Sequence, residues 1–297
     1  MPTPQAQFLE LLDYIGLPHE DTKQQYGKII EIIGFEVDIQ KMTITLLDAS
    51  KSKLVEAIHD FVLNPPLPRC QSTWAWLHIL GYANWALNVF PLLKPALNSS
   101  YDKVAGHSFL GALIFLNKQT IEDLLWFTDQ VELLEGIQTL KAETWDAHDA
   151  DLEIWGDASA LGLAFWSPSH LAGYIVDPIV DAKCFFNKAV TILAALEWAA
   201  TLTPPPTCLA IHTDSSTSFG IFNSLHALTL YNPIILTAIK IHLHSHIDLH
   251  VFYIEGKKNS IADALSHHAL PLAHHLARGI SIQFFMPPQV VMGASLK

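Results

Sequence analysis

The stretch LEIWGDASALGLAFW, residues 152–166, decides the fold. An apolar strand ends on Gly156-Asp157, a small-residue turn follows, and a second apolar strand returns. An aspartate that closes a buried strand is held rigidly while its oxygens face solvent. The pattern recurs in CLAIHTDSSTSFGIF (208–222), where Asp214 follows the strand. A third aspartate, Asp263, sits in the helical part of FYIEGKKNSIADALSHH (252–268). One strand-end aspartate is usually a turn or cap residue. Three in the order strand-Asp, helix, strand-Asp, strand, helix-Asp are more specific. If they converge, they offer the oxygen ligands that hard divalent cations require.

Around these anchors the second half of the chain reads as alternating strands and helices. Segments 152–156, 161–166 and 171–176 are expected to form a three-stranded antiparallel meander. A helix is expected at about 187–202, ended by TPPP, followed by strand 208–213, helices 216–226 and 232–246, strand 248–254 and a last helix at 259–267. This alternation predicts a mixed sheet covered by helices on both faces. The remaining residues, 269–297, have no strong period and are expected to be a tail.

The first half is mainly helical. FLELLDYI (8–15) has helical spacing and GLP breaks it. KIIEIIGFEVDI (28–39) and KMTITLL (41–47) read as two strands joined by a short turn. DASKSKLVEAIHDFVL (48–63) opens with an Asp/Ser capping signal and repeats apolar residues at Leu54, Ile58, Phe61 and Val62, the stripe of an amphipathic helix. NPPLP stops it. Further helices are expected over 71–90, 91–104 and 117–136.

At 297 residues, 50% hydrophobic and 15% charged, the chain is globular and long enough for one large domain or two ordinary ones. No apolar run reaches the roughly 18 residues of a membrane span, and MPTPQAQFLELL lacks a signal-peptide pattern. An intracellular protein with no membrane partner is the expectation. The three cysteines, Cys70, Cys184 and Cys208, form no CxxC pattern and read as buried thiols in a reducing compartment. With only 17 Lys and Arg, the net charge of −12 argues against tight autonomous binding to a phosphate backbone.

From about 151 to 268 the chain resembles the ribonuclease H domain of retrotransposon polyproteins, especially fungal-like elements of the tyrosine-recombinase (DIRS) type. The residues that carry the resemblance are GDASALGLAFW, LAALEWAA (193–200), IHTDSSTSFGIFNSL (211–225), YNPIIL (231–236), HSHIDLHVFYIEGKKNSIADALSH (244–267) and PPQVVMGAS (287–295). LLDYIGLPHEDTKQQYGKIIEIIGFEVDIQKMTITL (11–46) resembles the end of a reverse-transcriptase palm, with Lys23 and Gly34 at positions the family keeps. The helices from 49 to about 136 then resemble the thumb and connection. The implied organisation is a palm end at 1–48, a helical thumb and connection at 49–150, a ribonuclease H-like α/β domain at 151–268, and the tail.

That resemblance implies an ancestral activity: Mg²⁺- or Mn²⁺-dependent cleavage of RNA in RNA–DNA hybrids, with Asp157, Asp214 and Asp263 as metal ligands. Two ions in such a site activate water and stabilise the leaving oxygen of an in-line displacement. It also implies a hybrid as partner, held weakly given the charge, an intact polymerase subunit as a second partner, and nucleic-acid contacts from Lys257, Lys258 and Asn259 in the turn before the last helix. Two departures matter. The polymerase carboxylates of a Tyr-x-Asp-Asp hairpin lie upstream of the matching segment, so polymerisation is not expected. And where the family places a metal-binding Glu, the chain reads Asn187-Lys188-Ala189. An ammonium there repels divalent ions and is expected to pair with Asp157 or Asp214. Glu197 lies nine residues on, about half a helical turn out of phase, and cannot replace the missing Glu. The expected domain therefore has a degenerate active site. A non-catalytic module that binds nucleic acid or protein through the retained fold is the alternative.

Other features have plainer readings. The late histidines (His242, His244, His246, His250, His267, His268, His274 and His275) read as surface or half-buried residues rather than a zinc site. Trp74, Trp76, Tyr82 and Trp85 read as core packing rather than a base-stacking platform. Asn98-Ser99-Ser100 matches a glycosylation sequon without the secretory context that would use it.

Overall fold

The computed structural model describes residues 2–20, 23–67, 69–138, 145–177, 184–286 and 288. The motif PPQVVMGAS lies almost wholly outside them. The chain divides into two compact units, Met1–Pro91 with Phe109–Glu143, and Leu92–Ser108 with Thr144–Lys297. In chain order the elements to the end of the first unit are α1 (Thr3–Ile15), β1 (Ile29–Ile32), β2 (Phe35–Asp38), β3 (Thr43–Leu46), α2 (Asp48–Leu63), β4 (Cys70–Ser72), α3 (Thr73–Ala86), α4 (Asn98–Val104), β5 (Leu113–Phe115), α5 (Lys118–Leu133) and β6 (Ile137–Gln138). Of these, α4 belongs to the second unit.

The first unit pairs β1-β2-β3-β6 in one antiparallel sheet and β4 with β5 in another. Its helical core is the one the apolar spacing predicts. Leu54, Ile58, Phe61 and Val62 of α2 are buried, as are Leu124, Phe127 and Val131 of α5. Phe61 meets the fully buried Trp76 edge to face at 4.9 Å. Three local readings need correction. Residues 28–39, expected as one strand, form a hairpin instead. Ile33 (φ 51°) and Gly34 (φ 83°) both turn left-handed, the backbone of a two-residue hairpin loop. A Cβ on Gly34 would stand 2.9 Å from Trp85 Cζ2, so the turn also needs glycine for space. The capping signal at Asp48 places that residue inside the first turn, while Leu47 occupies the N-cap without a side-chain bond. Trp74, expected in the core, is exposed and stacks on His78.

The second unit continues with β7 (Leu152–Ala158), β8 (Leu163–Ser167), β9 (Ala172–Val176), α6 (Cys184–Ala200), β10 (Cys208–Thr213), α7 (Ser216–Ser224), α8 (Asn232–Ser245), β11 (Asp248–Tyr253), α9 (Ser260–Ser266), α10 (Leu270–Leu276) and β12 (Ser281–Phe284). The sheet runs β11-β10-β7-β8-β9-β12. β7, β8 and β9 are the expected antiparallel meander, and β10 and β11 continue the sheet parallel to β7. Neighbouring residues of β8 show how both faces are covered, because successive side chains of a strand point to opposite sides. Phe165 packs on Trp198 of α6, whereas Ala164 joins Leu265 of α9 and Ala273 of α10. This six-stranded mixed sheet with flanking helices is compatible with a ribonuclease H-like fold.

The expected tail is in part structured. Ala273, Ala277 and Ile280 bury against Leu265 and Ala164, and β12 adds to the sheet parallel to β9. Residues 92–108 join this unit through a buried amide pair. Asn98 Nδ2 donates to Asn232 Oδ1 (2.8 Å), and Asn232 Nδ2 donates to the Pro95 carbonyl (3.1 Å). Cys70 and Cys208 are not in disulfides, and both are partly buried. Among the described residues, no helix is long and apolar enough to cross a membrane.

Candidate active site

Asp157 is the penultimate residue of β7, and Asp214 directly follows β10. These strands are parallel neighbours in the register Thr213↔Gly156, so the next residue of each brings the two carboxylates side by side. Both stand at the carboxyl end of the parallel strands, where open α/β sheets place their ligands.

Lys188, in the first turns of α6, reaches between them. Its Nζ lies 2.6 Å from Asp214 Oδ1 and 2.9 Å from Asp157 Oδ1. The side chains of Lys188, Asp157 and Asp214 are 15%, 5% and 25% exposed, so the cluster is largely shielded from water. Burial alone would lower the lysine's pKa. Hydrogen bonds to Asp214 and Asp157, with their negative charges, outweigh it and raise the pKa above 10.5. The ammonium is therefore charged throughout the physiological range. The sequence expected a pairing with one aspartate or the other; Lys188 pairs with both.

The far oxygen of Asp157 is also taken. Ser266 Oγ donates to Asp157 Oδ2 at 2.8 Å, and the Ser266 carbonyl accepts from Ser159 Oγ at 2.7 Å. Strand β7, its turn and the end of α9 are thus tied together around one carboxylate. Nothing in the sequence singled out Ser266 or Ser159, because a serine three residues after a helical aspartate carries no pattern of its own.

Asp263 is placed differently from expectation. Its side chain is 60% exposed, and its nearest side-chain partner is His267, whose Nε2 lies 3.7 Å away, four residues on and just past the end of α9. Among the described residues, no three His, Cys, Asp or Glu side chains gather closely enough to hold a metal ion. The expected ligand set Asp157, Asp214 and Asp263 is instead two aspartates closed by a lysine and a third that faces outward. These residues do not fit a divalent ion. The donor oxygens facing the centre are engaged by a fixed positive charge.

The turn before α9 needs a similar correction. Lys257 and Lys258 are exposed, as a phosphate contact would require, but Asn259 is only 2% exposed. Its Nδ2 donates to the Gly156 carbonyl (3.0 Å), pinning the turn to β7 beside Asp157. Asn259 is thus a fastening of the site. Glu197 lines an open groove with Thr237, Lys240 and His244 of α8, and burial raises its carboxyl pKa.

No protein-family model matches the chain, and no curated protein matches it in sequence. Among solved structures, the chain is similar to a foamy viral protease-reverse transcriptase in complex with an RNA/DNA hybrid, at 15% identity and a TM-score of 0.28. The likeness covers 76% of this chain and 29% of that one.

Proposed function

We propose that the second unit is a ribonuclease H-like domain of retroelement descent whose metal-dependent cleavage of RNA in RNA–DNA hybrids has been lost. The observation that carries this reading is the Lys188 ammonium lodged between Asp157 and Asp214. The strand-end placement of both aspartates, the six-stranded mixed sheet and the motifs of 152–267 support the ancestry. The first unit, on the same reading, descends from a reverse-transcriptase palm end, thumb and connection. Because the residues present do not fit a divalent ion, no cleavage step is assigned to them.

The alternative role is binding without cutting. It is favoured by Lys257 and Lys258, an exposed basic pair four and five residues beyond β11, close to Asp214, whose Oδ2 is 3.5 Å from where a Cβ on Gly256 would lie. A hybrid held there would be held weakly, given the net charge of −12.

End-labelled RNA–DNA hybrid incubated with the full chain in Mg²⁺ or Mn²⁺ tests the reading. The wild-type chain is expected to leave the RNA intact. Cleavage by the wild type that disappears in Asp157→Asn would overturn the proposal. The Lys188→Glu variant, assayed in parallel, measures how much of the remaining site is competent.

A further inference from the structure

We propose that Lys188 is a built-in cation that does the structural work of a bound ion, so that the fold around Asp157 and Asp214 holds without metal. Removing the ammonium alone would then turn the aspartate pair into a divalent-cation site. The inference rests on reading these aspartates as an ancestral ligand pair.

The geometry sets the need for a positive charge. Asp157 Oδ1 and Asp214 Oδ1 both touch one nitrogen, so they are separated by no more than those two contacts laid end to end. Two carboxylates that close, one of them almost fully buried, repel while both are ionised unless a cation lies between them. The hydroxyl of Ser266 on Asp157 Oδ2 is neutral and cannot offset a charge. Both aspartates have their ion pairs with Lys188. Its stem is anchored in α6, between Asn187 and the buried Ala189 and Val190, so the charge is delivered covalently and cannot be chelated away. An ion would join β7 to β10 by coordination. Lys188 joins them by two charge-assisted contacts and adds α6 to the junction.

The two cations also exclude one another. A divalent ion in this position would meet the ammonium at contact distance, so the wild-type chain should be indifferent to metal. Without the ammonium, the vacated space faces two hard oxygen donors from rigid strands, the setting in which Mg²⁺ or Mn²⁺ binds.

Thermal unfolding of the full chain, followed by calorimetry in EDTA and in Mn²⁺ without nucleic acid, tests this. The wild-type Tm is expected to be the same in both. Lys188→Met should unfold lower in EDTA, by on the order of 10 °C, and recover saturably with Mn²⁺. Lys188→Met combined with Asp214→Asn should regain part of the loss in EDTA and lose the response to Mn²⁺. If Lys188→Met does not fold in EDTA, Mn²⁺ should restore its circular dichroism spectrum. A wild-type Tm that rises with Mn²⁺, a Lys188→Met chain as stable as wild type in EDTA, or one that Mn²⁺ does not rescue would each overturn the proposal. With no nucleic acid present, failure would count against the structural role of the ammonium and leave the cleavage assay to judge the non-cutting reading.

Discussion

Lys188 Nζ stands 2.6 Å from Asp214 Oδ1, the shorter of its two carboxylate contacts, and this contact joins the start of α6 to the end of β10. Paired charges out of water gain their attraction at the expense of desolvation, and removing one partner leaves the other uncompensated. The cluster is therefore sensitive to any change that leaves a carboxylate without a donor.

Ser266 is the first such case. Its hydroxyl is fully buried and donates to Asp157 Oδ2. Ser266→Ala should destabilise the chain by about 2 kcal/mol, the range of a hydrogen bond to a charged group. The urea midpoint reports this. Combined with Lys188→Met, the two losses should not add, because both variants act on Asp157. Strict additivity would mean that the serine and the lysine do not share this carboxylate.

Asn232 gives a prediction away from the site. Its amide accepts from Asn98 and donates to Pro95, holding residues 92–108 against α8. Asn232→Ala leaves a buried donor and a buried acceptor without partners, a loss of about 1–3 kcal/mol. Hydrogen exchange should show faster opening of α4 than in the wild-type chain. Unchanged protection there would mean that the amide pair does not anchor the segment.

His242 supplies a dependence on pH. Burial holds its imidazole below the ordinary 6.5, against the pull of Asp248 and the Ile247 backbone and with a small push from His246 and His250. An unfolded chain takes up this proton near pH 6.5, whereas the folded chain takes it up only at lower pH. Stability from this group is therefore present above about 6.5 and is lost as pH falls toward the folded-state value. His242→Gln should lose less stability than wild type between neutral pH and pH 5. Parallel curves for the two chains would contradict the assignment.

Much of the second unit was legible in the sequence because its strands are short apolar runs with clear stops. TPPP ends α6, an aspartate ends β10, and the antiparallel meander is spaced by small-residue turns. Lys188 was legible through the family resemblance, which implies a Glu at this position, and an ammonium near two aspartates is expected to pair with them. What escaped were short elements and the directions of single side chains. The hairpin at Ile33-Gly34 lies inside a run rich in Ile, Phe and Val, where a lone glycine is the one mark of the turn in the sequence. β12 is four residues, and the alternation of ISIQF (280–284) that marks it is too short to stand out from the rest of the tail. The outward direction of Asp263 depends on the phase of a seven-residue helix, which a shift of one residue rotates by about 100°. The burial of Asn259 depends on how closely its turn approaches β7, and an amide in a Gly/Lys turn looks the same whether it faces solvent or a strand.

The central claim is that the aspartate pair is closed to divalent ions by a charge of the chain's own. Isothermal titration of the full wild-type chain with Mn²⁺ tests it most directly. The heats are expected to be indistinguishable from those of the Asp157→Asn, Asp214→Asn double variant. Saturable binding of one or two equivalents by the wild type, abolished in that double variant, would contradict it.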